Sequence, residues 1–315
     1  MIELIEKYIA WIILLVYILV LLGIDFFILH KKDSVPSVKK ALYESLFFIG
    51  NALFFAGIVY WLYQSGLAEN SNAIRPQRAL FKYLTGYVIE LSLSVDNLFV
   101  IAVIFANYQI PLKHQHKLLF LGILGAIILR AILISLGLIL LDKFEDMSIV
   151  FGLFLLFTAF KMIAPSKSPT TLSEPKGIMK LFRFSHAFDG GKFTTRIDGK
   201  KFFTPLMAAL ITIEFTDLLF ALDSIPAIFS ITTDPYIVYS SNIFAIMGLR
   251  SLYFFLANML EKFAYLKYAV FVILVFVACK LILSKWFEIP ETISLIVILL
   301  SLALGVYISI RKRKV

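Results

Sequence analysis

The sequence predicts an all-α polytopic membrane protein of about nine transmembrane helices, whose core is two inverted three-helix repeats. Three observations carry that reading. The 315 residues are 60% hydrophobic with a mean hydropathy of +0.90, where a soluble domain is roughly 45–50% apolar. The apolar runs are continuous and close to the ~20 residues that a helix needs to cross a bilayer. They do not alternate, which excludes a β-barrel. Third, a buried-charge pattern occurs twice along the chain.

In order, the expected spans cover residues 8–29, 42–63, 80–106, 118–141, 147–163, 203–231, 237–257, 267–284 and 290–310. The first is not read as a cleaved signal, because Glu3 and Glu6 outweigh Lys7 before an apolar run too long for one. Two leading helices (1–78) precede a first repeat (79–163), a basic cytoplasmic loop (164–201), a second repeat (202–284), and a final helix with its basic tail (285–315). Within the loop, Asp198-Gly199 between short alternating runs predicts a hairpin turn. The loop itself reads as an orienting connector in preference to a gating flap.

Charge placement sets orientation. With the N-terminus outside and nine crossings, the inner segments hold 20 Lys and Arg and the outer ones hold 6, namely Lys7, Arg75, Arg78, Lys82, Lys143 and Lys285. That is the positive-inside bias of an inner (plasma) membrane protein with a cytoplasmic C-terminus. It accounts for the pI near 9.4 without a nucleic-acid partner. The single cysteine, Cys279, allows neither an internal disulfide nor a thiolate cluster.

The repeat shows in "VDNLF" and "TDLLF", which pair Asp96 with Asp217. Arg130 and Lys161 follow the first aspartate at nearly the spacing at which Arg250 and Lys280 follow the second. Three spans per unit is odd, so the second copy enters from the opposite side. Transporters built this way hold their sites near the midplane between repeats.

Five acids fall within the core spans: Glu90, Asp96, Glu214, Asp217 and Asp223. Each costs about 2.5–3.5 kcal/mol near a helix centre. They outnumber Arg130, Lys161, Arg250 and Lys280, which read as counter-ions or helix anchors. Structural ion pairing is the plain alternative, but buried pairs stabilise weakly against their own desolvation. With Asn97, Ser224 and neighbouring hydroxyls, the acids form an all-oxygen set suited to Mg²⁺, Ca²⁺ or Mn²⁺. Pro226 in "FALDSIPAIF" predicts a helix break that frees carbonyls for coordination. Asp25 either lines an exit path or reaches toward the inner surface. Glu44 reads as interfacial, His114 and His116 as solvated, and Gly122 and Gly125 as close helix packing.

The segments "GYVIELSLSVDNLFV", "HQHKLLFLGILGAIILRA", "GGKF", "TDLLFALDSIPAIF" and "SNIFAIMGLRSLYF" run in an order that resembles the TerC family of integral membrane proteins, over most of 25–283. The resemblance implies a metal-ion exporter, with manganese the favoured substrate as in Alx-type members. It makes Glu90, Asp96, Glu214, Asp217 and Asp223 the family's acids. Leu91 departs from the lysine often found after the first glutamate. The family's link to tellurite resistance has no counterpart in these residues. The expected function is therefore export of a divalent cation, most of all Mn²⁺, as transported substrate and with no other cofactor. A membrane scaffold without transport, or an exporter of a small organic cation, are the alternatives. No nucleophile–base pair or cofactor motif suggests an enzyme.

Overall fold

In the computed structural model of the chain, helices begin at proline or a small polar residue and end where backbone donors or acceptors can be recaptured. The structure describes residues 2–29, 37–70, 73–144, 146–163, 184–185, 189–197, 199–257, 266–284, 286–287 and 289–311. α1 (Ile2–Ile24) runs into a π-helical turn at Asp25–Leu29. α2 (Val38–Ser65) starts at Ser37, whose hydroxyl accepts the Lys40 N–H, and stops at Gly66. The φ of 73° at Gly66 is the left-handed conformation that glycine adopts without penalty, and it returns the Gly66 N–H to the Leu62 carbonyl. α3 (Pro76–Asn107) opens on proline, whose missing N–H would have had no partner there anyway. α4 (Leu112–Lys143) and α5 (Met147–Ile163) complete the first half.

A hairpin of β1 (Thr194–Ile197) and β2 (Lys200–Phe203) follows, with Ile197 paired to Lys200 across the turn and Gly199 at φ 74°. This is the hairpin that the Asp198-Gly199 pair predicts. α6 (Pro205–Phe229) and α7 (Pro235–Met247) again open on proline, and Asp234 caps α7 by accepting the Ile237 N–H at 3.1 Å. α8 (Leu249–Ala257), α9 (Leu266–Leu283) and α10 (Glu291–Arg311) end the chain.

Each of the nine expected spans contains a helix, and five helices are long and apolar enough to cross a membrane: α1, α2, α4, α6 and α10. α5 and α9 are apolar but shorter. Their outer faces fit hydrocarbon, not water. Phe54, Ile128, Phe157 and Leu304 are 65%, 62%, 65% and 59% exposed, far more apolar surface than a soluble monomer leaves open. Serines and threonines inside the helices return their hydroxyls to the carbonyl four residues back, as Thr212 does to Ala208 and Ser241 to Ile237.

Two expectations about helix breaks are corrected. α6 is unbroken at Pro226 and continues to Phe229. Pro226 lies in its final turn, so the bond lost to the Leu222 carbonyl loosens the end and not the middle. The break falls instead at Gly248, which splits the stretch 237–257 into α7 and α8.

The halves pack in a reciprocal way. α3 rests chiefly on α7, α6 rests chiefly on α4, and α5 packs along α9. Each first helix thus lies on the second helix of the other half, which is what a twofold exchange of the halves produces. The α5–α9 contact is close enough to demand glycine: a Cβ at Gly152 would stand 2.6 Å from Ile282 and 3.0 Å from the Ala278 carbonyl. α1 and α2 flank α3 and α7 through an aromatic core in which Phe55 stacks on Phe244 at 4.4 Å.

The turn before the hairpin docks on the start of α4. Lys117 donates to the Gly191 carbonyl at 3.1 Å and stands over the Phe193 ring, and a Cβ at Gly191 would press on the His114 ring. His116 is buried, stacked on Phe254 at 3.9 Å. The expectation of two solvated histidines is therefore wrong, because the connector and α8 cover that helix end. Most of the 164–201 loop lies outside the described residues.

Candidate functional site

α3, α4, α6 and α7 bring polar residues to the same buried point. Arg130 of α4 is fully buried and Glu90 of α3 nearly so. The Arg130 guanidinium forms an ion pair with Glu90 Oε1 through Nη1 and a second with Asp217 Oδ1 through Nη2, the latter at 3.2 Å. Nη1 also donates to Ser224 Oγ at 3.2 Å and to Asn242 Oδ1 at 3.1 Å. The Asn242 amide turns back to Glu90 Oε2 at 2.9 Å, and the Ser94 hydroxyl reaches Glu90 Oε1 at 3.4 Å. One arginine of the first half thus holds an acid from each half.

The geometry follows from helix spacing. Asp217 and Ser224 stand seven residues apart, two turns of one face of α6, and both aim at α4. Glu214 lies one turn earlier on that side. Its carboxyl sits over Gly125 of α4, where an added Cβ would collide with it. The expected close packing at Gly125 is thereby found, and what it makes room for is a carboxyl group.

Below the arginine lies a cavity of about 40 Å³, lined by Asn97, Thr216, Asp217 and Arg250 among apolar neighbours. That is space for one water molecule or a few. Asp217 Oδ2 and Glu214 Oε2 are buried without a hydrogen-bond partner among the described residues. Asn97 and Ser224 are buried as expected, Asn97 on the cavity and Ser224 on the arginine. The side chains of Asp96 and Asp223 lie outside the described residues. Among those described, no three His, Cys, Asp or Glu side chains are already close enough to hold a metal ion.

Two of the remaining bases have other partners among the described residues. Arg250 pairs with Asp25, taking both its carboxylate and, at 3.2 Å, its backbone carbonyl. The π-helical turn that starts at Asp25 belongs to this contact. Asp25 therefore does not reach the surface; it is buried in an ion pair. Glu44 is likewise buried, near Lys40 and within electrostatic reach of Arg250. Lys280 donates to Ser294 of α10 at 2.9 Å, and Lys161 is exposed. Matched spacing along the chain did not produce matched partners, since α1 fills the second half's arginine. The residue that sequence reasoning missed is Asn242. Its one signal was an amide after two serines inside an otherwise apolar helix.

An integral membrane bundle whose two halves meet at a buried carboxylate–arginine centre is the class that fold and site define. The chain belongs to the integral membrane protein TerC family, which it matches over residues 76–315. An uncharacterised membrane protein of Rickettsia felis is 41% identical over 307 residues, 96% of this chain and 98% of that protein. One from Myxococcus xanthus is 42% identical over 292 residues, 91% and 88% of the two chains. The putative membrane-bound redox modulator Alx of Escherichia coli is 38% identical over 284 residues, 89% and 87% of the two. No solved structure matches this chain.

Proposed function

We propose that the protein exports a divalent metal cation, Mn²⁺ first among them, through the carboxylate centre, by alternating access of two three-helix repeats at 79–163 and 202–284. It sits in the inner membrane with its N-terminus outside and its C-terminus in the cytoplasm. One observation carries the reading. Glu90 and Asp217 converge from both halves on a single guanidinium, which leaves that triad one charge negative. Glu214 and the partnerless oxygen of Asp217 lie beside it. Two of the bases expected to balance the acids are committed elsewhere, to Asp25 and to Ser294, and a third, Lys161, is exposed.

In the arrangement described, Arg130 occupies the oxygens that a dication would need. Metal binding at this point requires the guanidinium to withdraw, and the cavity beside Asp217 is where ligands can gather as it does. Asp96, Asn97 and Asp223 are the further oxygens nominated for the shell. The tight Arg130 clamp also favours a second reading, in which the cluster is a structural lock in a membrane scaffold. For the redox role in the name of the Escherichia coli relative, this chain offers one thiol, Cys279, exposed on α9.

Mn²⁺ efflux from cells and Mn²⁺ binding to purified protein, compared between wild type, Asp217→Asn and Asp96→Asn, test the proposal. Both variants should reach the membrane at wild-type levels and lose about tenfold or more in efflux and affinity, the effect of one interaction worth about 1.4 kcal/mol. Normal efflux in a well-folded Asp217→Asn protein would leave the structural lock as the better account.

A further inference from the structure

The outer segments hold few basic residues, yet three of them gather at one place. Arg75, Arg78 and Lys82 lie at the start of α3 with spacings of three and four, on one helix face. Like charges so placed repel by a few tenths of a kcal/mol per pair. They are also costly for orientation on the side where cations are disfavoured. Their side chains line a basin of about 490 Å³ together with Thr232 and Thr233. Arg78 and Lys82 also line an adjoining basin of about 330 Å³, whose far wall holds Ser230, Lys280 and Ser284.

Neither Arg75 nor Arg78 has an ion-pair partner among the described residues. Asp234 acts electrostatically with Lys82, but burial holds its carboxyl above the usual carboxylate range, and its Oδ1 already accepts the Ile237 N–H. Glu69 is exposed. The N-terminus of α3, a 32-residue helix with no side-chain cap, adds its positive end to the same spot. The second basin is rimmed by Ile231, Phe287 and Ile289, and Trp286 and Phe287 beside it are 65% and 69% exposed. Aromatic side chains in that position mark the level of lipid headgroups.

We propose that this double basin is a binding site for a phosphate group, and that the phosphate is carried by an anionic phospholipid of the outer leaflet. Guanidinium forks and an ammonium match phosphate oxygens. The hydroxyls of Thr232 and Thr233, which line the first basin, supply further donors, and the apolar rim receives the start of the acyl chains. Free inorganic phosphate shares the headgroup chemistry but has no use for that rim. The site stands independently of metal transport.

The test uses the full-length protein in detergent with phosphatidylglycerol, phosphatidylcholine or inorganic phosphate, reading retained lipid by native mass spectrometry and thermal stability alongside. Wild type should retain phosphatidylglycerol over phosphatidylcholine by roughly tenfold or more, from about 1 kcal/mol for each basic residue near the headgroup. The double variant Arg75→Gln/Arg78→Gln, both exposed positions, should fall to the phosphatidylcholine level with unchanged stability in phosphatidylcholine. Lys143→Gln, an outer basic residue outside both basins, should match wild type. Stabilisation by millimolar phosphate with no preference between the lipids would assign the site to a free anion and overturn the lipid assignment. Equal retention of both lipids with no phosphate effect, or a double variant that behaves as wild type, would overturn the site itself.

Discussion

Glu90 and Asp217, one from each half of the bundle, are bound by the same arginine. Arg130 sits between them as the shared counter-charge, and each acid keeps a partner if the other is removed. Arg130 has no such substitute. That asymmetry separates the variants expected to unfold the protein from those expected to disable it.

Arg130→Gln leaves two carboxylates facing each other in a dry site. Breaking a buried pair in this way costs about 3–5 kcal/mol, so thermal unfolding should move well below wild type. Asp217→Asn and Glu90→Gln should each cost much less, since the arginine retains one acid. Thermal melts of the three purified variants check the order. Near-identical melts for all three would show that the clamp is not what holds the halves together.

Gly125→Ala drives a methyl group into the Glu214 carboxyl. Overpacking of this kind costs about 1–3 kcal/mol, and the displaced Glu214 should also depress Mn²⁺ efflux. Gly57→Ala has open space around its Cβ and serves as the control, with efflux unchanged. The comparison is made at equal membrane levels, so a stability loss alone does not count.

Asp25→Asn should be mainly a stability variant. It strands the buried Arg250 charge, a loss of about 3–5 kcal/mol, although Glu44 nearby can take part of the load. Efflux per folded molecule should stay close to wild type, because Asp25 ties α1 to α8 and is not itself among the residues that line the cavity beside Asp217. Efflux lost in parallel with Asp217→Asn, at full stability, would place Asp25 in the pathway.

Orientation is checked with single cysteines in a Cys279→Ala background. Lys192→Cys, in the turn docked on α4, should be labelled only after the membrane is opened. Gln77→Cys, at the exposed start of α3, should be labelled from outside intact cells. The reverse pattern would invert the topology.

The sequence by itself determined the class of this protein and pointed to Glu90, Glu214 and Asp217 as acids held within its helices. Continuous apolar length forces helices in a medium with no water for the backbone, and a carboxylate in such a run is too costly to be incidental. Which charges meet was decided only in three dimensions. Arg130 and Arg250 stand at nearly equal spacings in their repeats, yet one joins the two halves and the other is claimed by Asp25 from a helix outside the repeat. Asn242 entered the site because α7 packs on α3. Pro226 left α6 unbroken because it fell in the last turn, while Gly248 took the break. Spacing along one helix fixes the face a residue occupies; its partner depends on which helix packs against that face. That choice is made by side-chain fit, as at Gly125 and Gly152, and a linear pattern of charges carries no record of it.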